Sequence, residues 1–273
     1  MKKLDLGGSD FKDVILNNNY FVDKTLLIEE VIEAQKKVLL LPRPRRFGKT
    51  LNLSMLHYYF DKNEPSNKKL FADLKIWQTG EDIKQHCGKY PVIYLSFKDT
   101  KKDTWENCYE HITDTISKLY RQHNYLLDKN LLDAKETSDF INIINETANK
   151  TKFEKSLENL TLYLQRYHKE KVVVLIDEYD TPIQASHNKF YKDAISFMRS
   201  LLSGALKDNT NLYKGVITGI LRISKESIFT GLNNLSVYSI LDDEFSDKFG
   251  FTNTEVKQII KDFKIKTEYF EID

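Results

Sequence analysis

Cysteine is scarce in this chain of 273 residues, which contains only Cys87 and Cys108. The two lie far apart in the sequence and form no CxxC pair, so a disulfide framework is excluded as the basis of the fold. His86 and Cys87 are adjacent but have no further partners at zinc spacing, which argues against a structural metal site. We therefore expect reduced, partly buried cysteines.

Long apolar runs are also missing. The longest ones, VLLL at 38–41 and VVVLI at 172–176, are far shorter than the roughly 20 residues that a membrane-spanning helix needs. The two lysines after Met1 precede no apolar stretch, so the sequence does not begin with a signal peptide. We expect a soluble, cytoplasmic protein with no membrane partner.

A large excess of charge of either sign is absent as well. The 41 Lys and Arg residues nearly balance the 40 Asp and Glu residues, and the net charge is +1. The chain as a whole therefore has no field that would hold it on nucleic acid or on an anionic membrane. Nucleic acid stays a possible partner only through a local basic patch, such as RPRR at 43–46.

Five short β-rich segments stand out against this background, and most of them are continuously apolar. Such runs are typical of strands in a parallel sheet that is covered on both faces. Between them, apolar residues recur at spacings of three and four, which predicts amphipathic helices and an α/β layered fold with right-handed crossovers. The segments are KVLLLP (37–42), PVIYLSF (91–97), KVVVLID (171–177), YKGVITGI (213–220) and LSVYSIL (235–241).

The segment RPRRFGKT at 43–50 resembles a phosphate-binding loop, or Walker A motif, between the first strand and a helix predicted over 50–60. Such a loop wraps backbone N–H groups around a phosphate, places a lysine on it and offers a hydroxyl to Mg²⁺. An arginine stands where GxxxxGK[ST] has its first glycine, so a basic loop without a nucleotide is the alternative interpretation. The predicted nucleotide-binding residues are Arg43, Pro44, Arg45, Arg46, Phe47, Gly48, Lys49 and Thr50, with Thr50 also a ligand of the metal.

The third apolar segment ends in the acids of DEYD at 177–180, in the manner of a Walker B motif. Asp177 is predicted to hold Mg²⁺, and Glu178 to orient and deprotonate the attacking water, with Asp180 as the alternative base. A strand that merely ends in a charged turn is the plain alternative. It does not explain why GKT and DEYD both follow buried strands in this order.

Two further residues follow the fourth strand. Thr218 is predicted to sense the γ-phosphate or the attacking water, and Arg222 to stabilise charge in the transition state, in the same chain or across a subunit contact. An ordinary surface cation is the equal alternative for Arg222. Near the N-terminus, Tyr20 or Phe21 of NYFVDKT can stack on an adenine, although a short element packed on the core is the preferred interpretation.

With these motifs assembled, the sequence resembles the AAA-ATPase-like family of bacteria and archaea over almost its whole length. The resemblance implies that Arg43 is a family feature and that the loop is a true nucleotide site. Many members carry a C-terminal nuclease-like domain of the PD-(D/E)XK type, but this sequence ends before one could begin. The one match to D/E-x-K, Glu255-Val-Lys257, falls in a predicted capped helix and lacks the preceding metal aspartate, so we do not expect DNA cleavage. The matching segments are YFVDKT (20–25), RPRRFGKTLNLSML (43–56), DEYDTP (177–182), TGILRISKESIFTGLNNL (218–235) and FGFTNTEV (249–256).

We therefore predict an α/β P-loop NTPase with a five-stranded parallel sheet in the order 51432, helices on both faces and the start of a helical lid. Residues 1–242 would form the ATPase core and 243–273 a partial lid or tail, with an insertion or mobile region around 124–152. The predicted function is hydrolysis of ATP with Mg²⁺ by a conformational switch or motor, and the predicted partners are ATP and either further copies of the chain, in a homo-oligomer, or a client protein. A non-hydrolysing nucleotide-binding scaffold is the alternative, and a nucleic-acid-binding module is less favoured.

Overall fold

The computed structural model describes residues 2–3, 7–128, 131–221, 228–229 and 232–265. Within them, five strands form one parallel sheet: β1 (Val38–Pro42), β2 (Val92–Ser96), β3 (Val172–Asp177), β4 (Leu212–Gly219) and β5 (Leu235–Val237). Their order is β2-β3-β4-β1-β5, which is the predicted order 51432 seen from the other edge. The predicted α/β fold is therefore confirmed.

Eleven α-helices accompany these strands in the described part of the chain. They are α1 (Phe11–Leu16), α2 (Leu26–Glu33), α3 (Lys49–Phe60), α4 (Glu81–Lys84), α5 (Trp105–Gln122), α6 (Ala134–Ile144), α7 (Lys150–Glu154), α8 (Ser156–His168), α9 (Thr181–Ser186), α10 (Tyr191–Leu206) and α11 (Asn253–Asp262). Short 3-10 helices cover Pro65–Phe71, Lys75–Gln78, Asn124–Leu127 and Ser246–Lys248.

Alternate residues of the central strand β3 belong to opposite faces of the sheet. Val172, Val174 and Ile176 join an apolar cluster with α5, α8 and α10, whereas Val173 and Leu175 join a second cluster with α1, α2 and α3. All six β3 residues are buried. Cover on both faces is the physical reason for the continuously apolar run, and each such side chain contributes about 1.5–3 kcal/mol on burial.

The described part of the segment 124–152 is mostly helical, although its composition predicts an insertion or mobile region. Phe140 and Ile143 of α6 are buried against α5, and Asp133 and Glu136 form a capping box at the start of α6. The asparagine-rich sequence is explained in part by Asn149, whose side chain caps α7 by accepting from the N–H of Lys152. Leu126 and Leu132 of the same segment are also buried, and these four apolar residues, not the polar majority, determine the local structure.

After β5 the chain continues through the 3-10 helix Ser246–Lys248 to α11. The last strand ends at Val237, earlier than the predicted 241, because residues 239–242 form a turn in which Asp242 accepts from the N–H and hydroxyl of Ser239. The predicted capping box of α11 is confirmed by Thr252 and Glu255. Among the described helices, none combines the length and the apolar composition needed to cross a bilayer.

Candidate functional site

An open cavity of about 710 Å³ lies at the carboxyl ends of the strands, the edge at which parallel sheets bind ligands. Its walls come from the segments that follow four neighbouring strands and from the N-terminal segment. The volume is within the range of small-molecule sites. The lining residues are Gly7, Gly8, Ser9, Arg45, Arg46, Gly48, Lys49, Thr50, Leu51, Lys98, Lys101, Glu178, Thr181, Gln184 and Ile220.

The loop between β1 and α3 forms one wall of this cavity. Gly48 has φ = 75°, in the left-handed region that favours glycine, and a Cβ there would contact nothing within 4 Å. Arg46 also has a positive φ, 68°, which a side chain makes uncommon and which concentrates strain at the tip of the loop. Helix α3 begins at Lys49, and the first N–H groups of a helix have no intrahelical acceptor. This arrangement is a ready-made anion site.

Lys49 lies at the inner end of the loop and is buried. Its Nζ donates to the carbonyl oxygen of Pro44, in the same loop, at 3.0 Å. Burial lowers the pKa of Lys49, while the negative charges of Asp177, Glu178 and Asp180 raise it in part. A buried ammonium whose hydrogen-bond partner is a neutral carbonyl is stabilised when an anion binds beside it.

Asp177 at the end of β3 joins the loop to β4. Its carboxylate is 1% exposed and accepts from the hydroxyl of Thr50 at 2.7 Å and from the hydroxyl of Thr218 at 2.6 Å. These three residues come from three different strands or their following segments. The structure thus brings together the predicted metal ligands and the predicted γ-phosphate sensor.

Glu178 follows Asp177 and lines the cavity, half-buried. Its backbone has φ = 52°, an unusual conformation for a residue with a side chain, and such strain clusters at functional sites. The hydroxyl of Thr181 donates to its carboxylate at 3.3 Å, and the N–H of Tyr179 donates to the carbonyl of Thr218. The carboxylate is therefore oriented but still open to the cavity.

Asp180 has a different environment from Glu178. It is 1% exposed, and its Oδ2 accepts from the N–H groups of Ile220 and Leu221 at 3.0 and 2.7 Å and from the side chain of Gln184. Asp180 does not line the cavity. Its carboxylate fixes the backbone that leaves β4, so the geometry favours Glu178 over Asp180 as the base.

The position of Arg43 does not fit the prediction that this residue binds nucleotide. Its guanidinium is buried and turned away from the cavity, where it donates to the carbonyls of Tyr238 at 2.6 Å and Phe245 at 3.1 Å and covers the ring of Phe249. Burial lowers its pKa, and the charge of Asp242 opposes that shift. Arg43 contacts this distant segment because carbonyl oxygens and an aromatic face there satisfy a planar cation.

The other loop residues divide between the cavity and the protein interior. Arg45 and Arg46 are exposed and line the cavity, as predicted ligands should. Pro44 contributes its carbonyl to Lys49, while Phe47 accepts from the N–H of Gly250 at 3.1 Å and packs beside it. Neither the Pro44 nor the Phe47 side chain lines the cavity, so both act on the shape of the loop.

The YFVDKT segment also contacts the C-terminal segment, and none of its residues lines the cavity. The hydroxyl of Tyr20 donates to Asp262 at 2.7 Å, and Phe21 packs on Phe11. Lys24 forms an ion pair with Glu255 at 2.6 Å. The segment therefore packs on the core, which agrees with the alternative preferred over adenine stacking, and Glu255 is engaged in a helix cap and an ion pair.

The remaining residues of the site are one predicted arginine and several lining residues that were not predicted. Arg222 lies outside the described residues, so its role stays a prediction. Sequence reasoning missed Lys98 and Lys101, which follow β2 and enter the cavity wall, and also missed the small residues of the segment 7–9. A signal for the lysines was available, since SFKDTK follows a buried strand in the same way as DEYD does.

Comparison with known proteins agrees with this geometry. The sequence model of the AAA-ATPase-like family, described as predicted AAA-ATPase, matches residues 5–229. A protein of Azotobacter chroococcum mcd 1, described as an uncharacterized protein in the vnfD 5' region, is 29% identical over 262 residues. The match covers 94% of this chain and 45% of that relative, so the chain spans about half the length of the relative. No solved structure matches.

Proposed function

This chain belongs to the AAA-ATPase-like family, and we propose that its cavity binds ATP with Mg²⁺ and hydrolyses ATP to ADP and phosphate. The observation that carries the proposal is the junction of Thr50, Asp177 and Thr218 beside the loop that holds Lys49. A hydroxyl, a buried carboxylate and a buried cation at the edge of one parallel sheet are the groups that phosphoryl transfer needs.

The loop supplies the phosphate-binding groups. In the proposal, the N–H groups at the start of α3 surround the β-phosphate, and Lys49 exchanges the Pro44 carbonyl for β- and γ-phosphate oxygens. Arg45 and Arg46 at the cavity wall add positive charge near the triphosphate. Gly48 allows the phosphate to approach the backbone closely, because it has no side chain at the turn.

Thr50 and Asp177 fit a magnesium ion by the chemistry of their donors. Mg²⁺ takes oxygen ligands, keeps several waters and is held by few protein groups together with substrate phosphates. A hydroxyl and a carboxylate 2.7 Å apart at the mouth of a phosphate loop match that demand. When bound, the ion neutralises charge on the phosphate oxygens.

Glu178 is the proposed general base. Its carboxylate takes a proton from a water whose oxygen attacks the γ-phosphorus, while the bond from that phosphorus to the bridging oxygen breaks and ADP leaves. Half-burial and the Thr181 hydroxyl orient the carboxylate in the cavity. Thr218 senses the γ-phosphate through Asp177, and Arg222 is proposed to stabilise the charge that develops.

A switch role follows from what the loop touches on its other side. Arg43 and Phe47 contact the segment 238–250, so a change of loop conformation on nucleotide binding alters the contacts of that segment. In the proposal the segment and α11, within a partial lid over 243–273, carry the signal to a client protein or a second copy of the chain. This coupling supports a switch that responds to the bound nucleotide.

The function is tested by measuring ATP and ADP affinity and Mg²⁺-dependent phosphate release for the purified chain and two variants. Glu178→Gln is expected to bind ATP as the wild type does and to lose at least a hundredfold in turnover, because the amide cannot accept the proton. Lys49→Ala is expected to weaken ATP binding at least tenfold. Glu170→Gln, at a partly buried position before β3 that does not line the cavity, is the matched control and should change neither quantity.

The outcomes separate the competing functions. Binding without turnover by the wild type would favour the nucleotide-binding scaffold over the ATPase. Failure of the wild type to bind any nucleotide would overturn the proposal, and salt-dependent binding of DNA or RNA through Arg45 and Arg46 would then support the nucleic-acid module.

A further inference from the structure

Lys98 lines the cavity but has no role in the proposed hydrolysis of ATP. It follows β2, which pairs with β3 in a register that sets Ser96 against Asp177. The pairing extends one residue further, because the N–H of Phe97 donates to the carbonyl of Asp177 at 3.0 Å. Lys98 is therefore the first residue past the sheet on the far side of the acidic strand.

The backbone that carries Lys98 is held in a tight turn. Both the N–H and the hydroxyl of Thr100 donate to the carbonyl of Phe97, at 3.1 and 2.6 Å. Phe97 and Thr100 are fully buried, and the thiol of Cys108 on α5 approaches the carbonyl of Thr100 at 3.6 Å. Buried residues thus anchor the turn at both ends, and Lys98 is presented from its exposed part.

Two lysine side chains lie at this wall of the cavity. Lys98 and Lys101 both line the cavity, and neither ammonium has an ion-pair partner among the residues that the structure describes. The next lysine, Lys102, does not line this cavity. Two cations that face a cavity with a phosphate loop on its other wall favour an anionic group between the walls.

The order of the strands tells which part of ATP reaches Lys98. The phosphate loop follows β1, Thr218 ends β4, Glu178 follows β3, and Lys98 follows β2. Neighbouring strands are about 4.8 Å apart, so Lys98 begins about 14 Å from the loop, beyond the proposed base. Since the loop would hold the β-phosphate, the group that extends toward β3 and β2 is the γ-phosphate.

We propose that Lys98 is a catalytic residue that contacts the γ-phosphoryl oxygens of ATP and neutralises the charge they carry in the transition state, with Lys101 as a weaker second cation. The inference rests on the proposed ATPase function and gives this chain a cationic group of its own opposite Lys49. It also makes Lys98 a determinant of the preference for ATP over ADP, because ADP has no γ-phosphate to contact.

The test compares Lys98→Gln, Lys98→Arg, Lys101→Gln and the matched control Lys102→Gln with the wild type. Affinities for ATP and ADP with Mg²⁺ are measured by titration calorimetry, and phosphate release gives kcat. Lys98→Gln is expected to lose at least tenfold in kcat and to weaken ATP at least fivefold while ADP affinity changes less than twofold. Lys98→Arg should recover most of both losses, and Lys102→Gln should match the wild type.

Failure of this inference and failure of the ATPase proposal give different results. If the wild type binds and hydrolyses ATP while Lys98→Gln keeps the wild-type kcat and the wild-type ratio of ATP to ADP affinity, the role of Lys98 is refuted and the ATPase stands. If the wild type binds ATP without turnover, the affinity ratio alone decides. If the wild type binds neither nucleotide, both proposals fall. Circular dichroism melting of each variant excludes loss of the fold as the cause.

Discussion

The hydroxyl of Thr50 donates to the carboxylate of Asp177 at 2.7 Å, although 127 positions separate the two residues in the chain. The contact joins the start of α3 to the end of β3. It exists because β1 and β3 are both parallel to β4, so their carboxyl ends meet at one edge. A metal ion bound there would replace this hydrogen bond, because the hydroxyl of Thr50 and the carboxylate of Asp177 already lie side by side.

The first prediction concerns this contact. Thr50→Val removes the hydroxyl without much change of volume, and a hydrogen bond to a charged group is worth about 1.5–3 kcal/mol. We expect a lower urea midpoint and loss of Mg²⁺-dependent ATP turnover, whereas Thr50→Ser keeps both. Urea unfolding and a magnesium titration of phosphate release measure the two effects. Wild-type magnesium dependence in Thr50→Val would contradict the assignment.

Substitutions of Arg43 and Arg45 are expected to change different properties, the folding stability for Arg43 and the ATP affinity for Arg45. Arg43→Gln removes the guanidinium donor of the Tyr238 carbonyl and leaves the Phe245 carbonyl only the N–H of Lys248 at 3.4 Å, and an acceptor left without its donor costs about 1–3 kcal/mol. Arg45→Gln, at an exposed position in the cavity wall, should reduce ATP affinity at unchanged thermal stability. Thermal melts and nucleotide titrations test the pair, and a reversal of the two phenotypes would show that Arg43 is the ligand.

Two glycines with the same backbone conformation provide a third test. Gly48 and Gly88 have φ of 75° and 67°, and a side chain in this left-handed region costs about 1–2 kcal/mol. A Cβ would find no close contact at Gly48 and an ordinary one of 3.9 Å at Gly88. Gly48→Ala and Gly88→Ala should therefore lose similar stability, while ATP affinity falls in Gly48→Ala alone. Equal ATP affinity in the two variants would remove Gly48 from the site.

The fourth prediction is a pH dependence of folding. Burial, with the nearby His168 and His57, lowers the pKa of His123 from 6.5 to about 4, and burial with Lys62 lowers that of His168 to about 4. The unfolded state binds these protons more readily, so stability is fully present above pH 6.5 and declines as the pH falls toward 4. Urea unfolding between pH 7.5 and 4.5 should show this decline.

The control for the histidine prediction is His123→Gln, which removes one titrating group. The hydroxyl of Tyr125 lies 3.1 Å from His123 Nδ1 and 3.0 Å from His168 Nε2, so the amide retains a polar partner for this hydroxyl. The variant is expected to show a shallower slope of stability against pH than the wild type. An unchanged slope would mean that other groups govern the acid response.

The elements nearest the strands were the most predictable part of the molecule. The first four predicted strands match the observed ones to within one residue at each end, and the helix after GKT begins at Lys49, one residue before the prediction. A buried parallel strand needs apolar side chains on both faces, so a short continuous run of apolar residues predicts where it lies. The segment 124–152 was less predictable, because a few buried apolar residues outweigh a polar majority.

The sequence by itself determined the five strands, because buried parallel strands are continuously apolar. The order of the strands, and with it the expectation that Thr50, Asp177 and Thr218 lie at one edge of the sheet, followed from the motifs and from the resemblance to the AAA-ATPase-like family. Only the tertiary structure decided where Arg43 and Lys98 point. A long cationic side chain takes the direction in which carbonyls, rings or open solvent are within reach, and those partners come from segments distant in sequence. For Arg43 they lie on the segment 238–249, and for Lys98 the cavity is open beside β3.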